Sequence, residues 1–176
     1  MRFLSQLHLN TLTGDEGVEC IADALQANTG IQEISLRFNG ITSSGGTCLA
    51  ASLKGDICHV DTLWLGGNLL EDSGIASLAG ALCVNTSLRL LCLEGTGITD
   101  AGASDINAAL EENGTIATIL LGCNDVGDKG VLAMIYHACL QNSITTEWEA
   151  TEKDYMYYIK RNEHEKEIRL PEDEFF

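Results

Sequence analysis

Seven cysteines, four histidines and one Ser–His–Glu grouping are the residues of this 176-residue chain best suited to do chemistry. Thiols at Cys-x-x-Cys spacing would hold a metal or exchange disulfides. Here Cys20, Cys48, Cys58, Cys83, Cys92, Cys123 and Cys139 are odd in number, evenly spread and never so spaced. They read as reduced, structural thiols of a cytoplasmic protein. His8, His59, His137 and His164 stand too far apart to form a metal cluster. The chain has no phosphate-binding loop, zinc-protease pair, nucleophile elbow or dinucleotide glycine pattern. Gly95-Thr96-Gly97 comes nearest to a phosphate loop, but lacks the closing glycine and the basic residue. No catalytic residue, metal or cofactor is expected, and the chain reads as a non-enzyme.

Charge narrows the partners. Twenty-six acidic residues against ten basic give a net charge of −16. That field repels phosphate backbones and anionic lipid, so neither nucleic acid nor a membrane is an expected partner. No apolar run approaches the roughly 18 residues that a membrane span needs, and Met1–Leu9 alternates apolar and polar, unlike a secretion signal. A hydrophobic content of 45% with 20% charged residues suits a packed globular core.

The elements that position these residues follow from an internal period. Ile31-Gln32-Glu33-Ile34-Ser35-Leu36-Arg37-Phe38-Asn39-Gly40-Ile41 reads L-x-x-L-x-L-x-x-N-x-L, with Ile allowed for Leu. The frame returns at Val60, Leu63, Leu65, Asn68 and Leu70, at Leu88, Leu91, Leu93, Thr96 and Ile98, and at Ile116, Ile119, Leu121, Asn124 and Val126. A shortened copy opens the chain at Leu4, Leu7 and Leu9. Each copy is followed by a glycine (Gly17, Gly45, Gly74, Gly102, Gly130), then, in the first four, by a leucine (Leu25, Leu53, Leu82, Leu110) and by Asn28, Asp56, Asn85 or Asn113. The L-x-L segment alternates with period two, as a half-buried strand does. Val18, Ile21, Ala22 and Leu25, and later Ile75, Leu78, Ala79 and Leu82, recur three and four apart on one helix face. Asp15-Glu16, Glu71-Asp72 and Asp100 fall near helix starts, where the helix dipole favours acids. The ninth-position Asn is expected to bond turn backbone, and Thr96 keeps one donor there. Asn85-Thr86-Ser87 and Asn113-Gly114-Thr115 match a glycosylation pattern but recur at a repeat position, which explains them.

This pattern, over about residues 3–143, resembles the leucine-rich-repeat family, in the ribonuclease-inhibitor-like class with 28–29-residue repeats. The resemblance implies an α/β fold: a right-handed solenoid of five repeats arched as a horseshoe, with a parallel sheet on the concave face, helices on the convex face and a C-terminal cap helix. It also implies non-enzymatic protein–protein binding on the sheet face. Two alternatives come with it: actin binding, as in the tropomodulin C-terminal domain, and GTPase activation, as in the Ran regulator, with Arg37 as the candidate finger.

The frame lays side chains on a grid. Its fifth position gives the row His8, Ser35, Trp64, Cys92, Leu120, and its third gives Gln6, Glu33, Thr62, Leu90, Thr118. His8, Ser35 and Glu33 are near one another, yet no oxyanion hole and no water-free cleft accompany them, so they do not make a hydrolase. Trp64, Leu90, Cys92 and Leu120 make an apolar stripe flanked by Phe38, the kind of patch that binds a partner. The expected partner-binding set is Glu33, Ser35, Arg37, Phe38, Thr62, Trp64, Leu90, Cys92 and Leu120, facing a protein the sequence does not name.

Residues 1–144 read as the solenoid, 145–170 as its cap and 171–176 as an acidic tail. Within the cap, Thr145–Ala150 suits a short strand. Thr151-Glu152-Lys153-Asp154 suits the start of a helix that runs to about Arg169, with Tyr155, Tyr158 and Ile159 on one face and Pro171 ending it. A free docking helix is the alternative. Leu4 stands almost at the start of a strand, so the first repeat lacks a cap. Its edge suits self-association, another partner, or further repeats of a longer solenoid.

Overall fold

The computed structural model describes residues 5–9, 12–54 and 58–127, and the backbone of strands within 144–151 and 154–161. Five three-residue strands alternate with helices: β1 (Gln6–His8), α1 (Gly14–Leu25), β2 (Glu33–Ser35), α2 (Ser43–Leu53), β3 (Thr62–Trp64), α3 (Glu71–Leu82), β4 (Leu90–Cys92), α4 (Asp100–Glu112) and β5 (Thr118–Leu120). The strands pair in parallel and in register. Gln6, Glu33, Thr62, Leu90 and Thr118 form one row, and His8, Ser35, Trp64, Cys92 and Leu120 another. These are the two rows that the repeat frame predicts. Between them Ile34, Leu63, Leu91 and Ile119 point inward and are fully buried.

The core lies between sheet and helices. Val18 and Leu25 of α1, Leu49 and Leu53 of α2, Leu78 and Leu82 of α3, and Ile106 and Leu110 of α4 bury one helix face against the strand leucines. One strand and one helix hide too little apolar surface to stand alone, so each unit is held by its neighbours. The result is the α/β solenoid that the repeats imply. The fifth copy's helix, expected from Gly130, and the tail 171–176 lie outside the described residues.

Polar side chains stitch the turns. The Asn39 amide donates to the Leu9 and Arg37 carbonyls, and Asn68 donates to those of Leu36 and Leu65 while its Oδ1 accepts from the amides of Asn39 and Ile41. Asn124 does the same for Thr96 and Ile98. Thr96 keeps its one donor bond, to the Leu93 carbonyl. At the opposite turns Asn28, Asn85 and Asn113 accept from the amides two and three residues ahead. Asn85 and Asn113 are buried with their amides bonded, which accounts for the two glycosylation-like triplets structurally.

The acids at helix starts do more than meet their own dipoles. Asp15 of α1 accepts from the Thr42 amide at 2.8 Å, the Thr42 hydroxyl and the Gly45 amide, all at the start of the next helix. Asp72 of α3 makes the same three bonds to Thr99 and Gly102. Burial alone would raise both carboxyls, but the hydroxyl and two amide donors outweigh it and hold them below the ordinary range. Between α2 and α3 Ser43 stands where the acid would be, and the helices meet instead by close contact and through the Thr47 and Ser77 hydroxyls, 3.0 Å apart. A Cβ added to Gly74 would come within 3.0 Å of the Ser43 Cα.

The C-terminal helix expected over 152–169 is corrected. Residues 154–161 form a strand, β7 (Asp154–Arg161), antiparallel both to β5 and to β6 (Ile144–Thr151). The sheet order is β1-β2-β3-β4-β5-β7-β6. The expected sixth strand is therefore present but pairs with β7. Tyr155, Tyr157, Tyr158 and Ile159 are residues of high strand propensity, and β5 offers an open row of backbone groups. Both outweigh the helix-start box.

Candidate functional site

The sheet face is built around Trp64 in β3. Its Nε1 donates to the Glu33 carboxylate of β2 at 3.0 Å, and the other Glu33 oxygen accepts from the Gln6 Nε2 of β1 at 2.6 Å. His8 lies 3.9 Å from the same carboxylate. Over the indole ring stands the Arg37 guanidinium, 5.6 Å from the centroid, a cation–π distance. Arg37 reaches on to Glu94, with Nη2 and Oε2 2.8 Å apart.

That reach crosses a whole repeat. Arg37, Gly66 and Glu94 hold the seventh position of successive copies. A Cβ on Gly66 would lie 3.4 Å from the Arg37 Cζ, so the glycine leaves the path open. Glu94 was not legible as a site residue, although two opposite charges flanking a glycine at one repeat position are its signal.

Cys92 does not face solvent as the stripe expects. It is fully buried, and Arg37 Nη1 and the Glu94 carboxylate each lie 3.4 Å from its sulfur. Burial is the main cause that pushes its thiol up to about 11, with the Glu94 charge adding to it. The stripe is thus broken at its centre: Trp64, Leu90 and Leu120 are half-buried, with Cys92 covered between them. Ser35 and Thr62 are half-buried in the same two rows. Phe38 stands apart on the loop after β2, exposed, with its ring over Gly67. Glu33 is engaged by Gln6 and Trp64, and among the described residues no hydrogen bond joins Ser35 to His8, so the hydrolase grouping is not assembled. Arg37, the candidate GTPase finger, is bound to Glu94 and packed on Trp64.

Among the described residues, no group of three or more His, Cys, Asp or Glu side chains is placed to hold a metal, and no helix is long and apolar enough to cross a membrane.

Known proteins share this repeat. A family model described as Leucine Rich repeat matches residues 27–50, 84–106 and 118–134. Ribonuclease inhibitor of Sus scrofa is 30% identical over 148 residues, covering 68% of this chain and 32% of the inhibitor. The chain belongs to the leucine-rich-repeat proteins of the ribonuclease-inhibitor-like class. NACHT, LRR and PYD domains-containing protein 3 of Bos taurus is 29% identical over 162 residues, covering 90% of this leucine-rich-repeat chain and 16% of the bovine protein. The chain thus spans a third or less of these two relatives. Among solved structures, that of Leiomodin-1 Actin-Binding Site 2 matches with a TM-score of 0.60 at 18% identity, over 78% of this chain and 82% of that one. That likeness concerns the fold.

Proposed function

We propose that this leucine-rich-repeat chain is a non-enzymatic binding module whose sheet face receives a protein partner. One observation carries the reading: a half-buried tryptophan at the centre of the sheet is held in one pose by Glu33 on one side and Arg37 on the other. Tryptophan and arginine are the residues that most often anchor interfaces, and their orientation here is set before any partner arrives. Glu33, Ser35, Arg37, Thr62, Trp64, Leu90 and Leu120 form the contact set, and Glu94 joins it. Cys92 supports Arg37 from below. The test is quantitative affinity capture from the source cell with the wild-type chain beside Trp64→Ala, each prey then confirmed with purified components. Direct binders lost in the variant support the reading. A confirmed partner retained equally by both proteins removes the sheet centre as its site.

Actin is the second reading, favoured by the fold match to an actin-binding region of leiomodin-1. Co-sedimentation with filamentous actin decides it. GTPase activation through Arg37 is disfavoured, because an extended finger would first have to break the 2.8 Å ion pair with Glu94.

A further inference from the structure

Three exposed apolar side chains gather on one rim of the solenoid, where strands lead into helices. Leu12, Phe38 and Leu69 are 87, 71 and 57% exposed. Each lies on a glycine of the next repeat. Leu12 Cδ2 comes within 3.2 Å of a Cβ built on Gly40, the Phe38 ring covers Gly67, and Leu69 Cδ1 lies 3.6 Å from a Cβ on Gly97. Gly40 is two residues past Phe38 and Gly67 two before Leu69, so the three form a stepped row.

The fold alone does not account for this row. Phe38 sits in the left-handed region at φ 56°, a turn position that Gly67, Gly95 and Cys123 hold in the repeats that follow. Glycine or asparagine holds such a turn with less strain, and an exposed ring hides little area. A strained, solvent-facing aromatic points to a use outside folding.

Charge names the occupant. The Glu71 side chain lies beside Leu69 over the same glycine, its Cγ 3.8 Å from a Cβ on Gly97. The cation next to Phe38, Arg37, is already bound to Glu94. A second copy of this chain would bring another −16 charges to the rim and be repelled. We propose that the rim is a docking surface distinct from the sheet face, and that it takes a basic amphipathic segment of a partner protein. Apolar side chains of that segment sit on Leu12, Phe38 and Leu69, and its lysines or arginines meet Glu71 and are drawn in by the net negative charge of the chain.

The probe is a synthetic Leu/Lys peptide with one apolar helical face, compared with a scrambled isomer of equal charge by fluorescence anisotropy at low and physiological salt. The wild-type chain should prefer the amphipathic peptide by about fivefold or more, and Leu69→Ser and Phe38→Asn should each remove most of that preference. Asparagine tolerates the left-handed turn, so Phe38→Asn should melt no lower than wild type. Loss of binding in it is then loss of the anchor rather than of the fold. Val84→Ser, which removes an exposed apolar side chain on the loop leaving α3, should change nothing. Glu71→Gln should flatten the salt dependence. Equal binding of the two isomers would overturn the proposal, as would salt-independent binding. So would a loss in Trp64→Ala as large as in Phe38→Asn, which would place the peptide on the sheet face.

Discussion

A single thiol shows how far composition can be trusted. Cys92 belongs by register to the row of side chains on the open face of the sheet, and register is what the repeat makes legible. Its burial was not legible, because it depends on an arginine two repeats before Glu94 bending across a glycine. The consequence is measurable. With its thiol pushed up to about 11, Cys92 should resist iodoacetamide at pH 8, while the exposed Cys20, Cys83 and Cys123 are alkylated first. Arg37→Ala should bring Cys92 into the reactive set, as read by timed alkylation and peptide mass analysis. Labelling of Cys92 in wild type as fast as Cys123 would mean that the Arg37–Glu94 cover does not persist in solution. Other residue-level expectations held for plain reasons. The ninth-position asparagines bond the turns because a repeated buried turn repeats its need for partners, and Thr96 retains the one donor such a site requires.

At the level of elements, helices and strands were legible wherever apolar period and turn position agreed, and misread where they competed. Residues 152–169 carried a helix-start box and an apolar spacing compatible with a helix. The open edge of β5 is a tertiary fact that no local pattern contains, and it drew Asp154–Arg161 into the sheet. The joints between helices had a signal that spacing alone did not reveal: Asp15 goes with Thr42 and Asp72 with Thr99, whereas Ser43 goes with Glu71. Two predictions test those joints. Gly74→Ala should cost about 1–3 kcal/mol, because the new methyl meets backbone at Ser43 that cannot swing aside. Gly80→Ala, with nothing within 4 Å, should raise stability by roughly 0.5–1 kcal/mol from helix propensity. Urea melts of both proteins settle the point, and opposite signs are required. The clamps respond to acid in a defined direction. The carboxyls of Asp15 and Asp72 are lower in the folded chain than in the unfolded one. Their stabilisation is therefore complete above the ordinary carboxylate range and fades as pH falls through it toward the folded values. The double variant Asp15→Asn, Asp72→Asn should melt below wild type at neutral pH, with the gap closing as the pH drops below 3.8. A gap that stays constant with pH would show that the carboxylates are not titrating as clamps.

For the whole molecule, stacking makes stability a sum of neighbour contacts, so the ends and the joints decide behaviour. Removing residues 144–176 takes β7 from the edge of β5 and leaves a row of unpaired backbone groups. The truncated chain should self-associate or lose amide protection first at Thr118–Leu120, read by light scattering and hydrogen exchange. Unchanged protection there would mean that the hairpin is not the sheet's closing element. The joints carry a different consequence. On the helix side Asp15 clips repeats one and two and Asp72 clips repeats three and four, while repeats two and three meet as Gly74 against the Ser43 backbone and through the Thr47 and Ser77 hydroxyls, 3.0 Å apart. That middle joint has no carboxylate clamp, so acid that protonates Asp15 and Asp72 loosens the joints on either side of it first. Across the same joint, on the other face of the sheet, run the bond from Glu33 to Trp64 and the stacking of Arg37 on the same ring. Whatever settles on the tryptophan therefore bears on the joint that acid leaves in place.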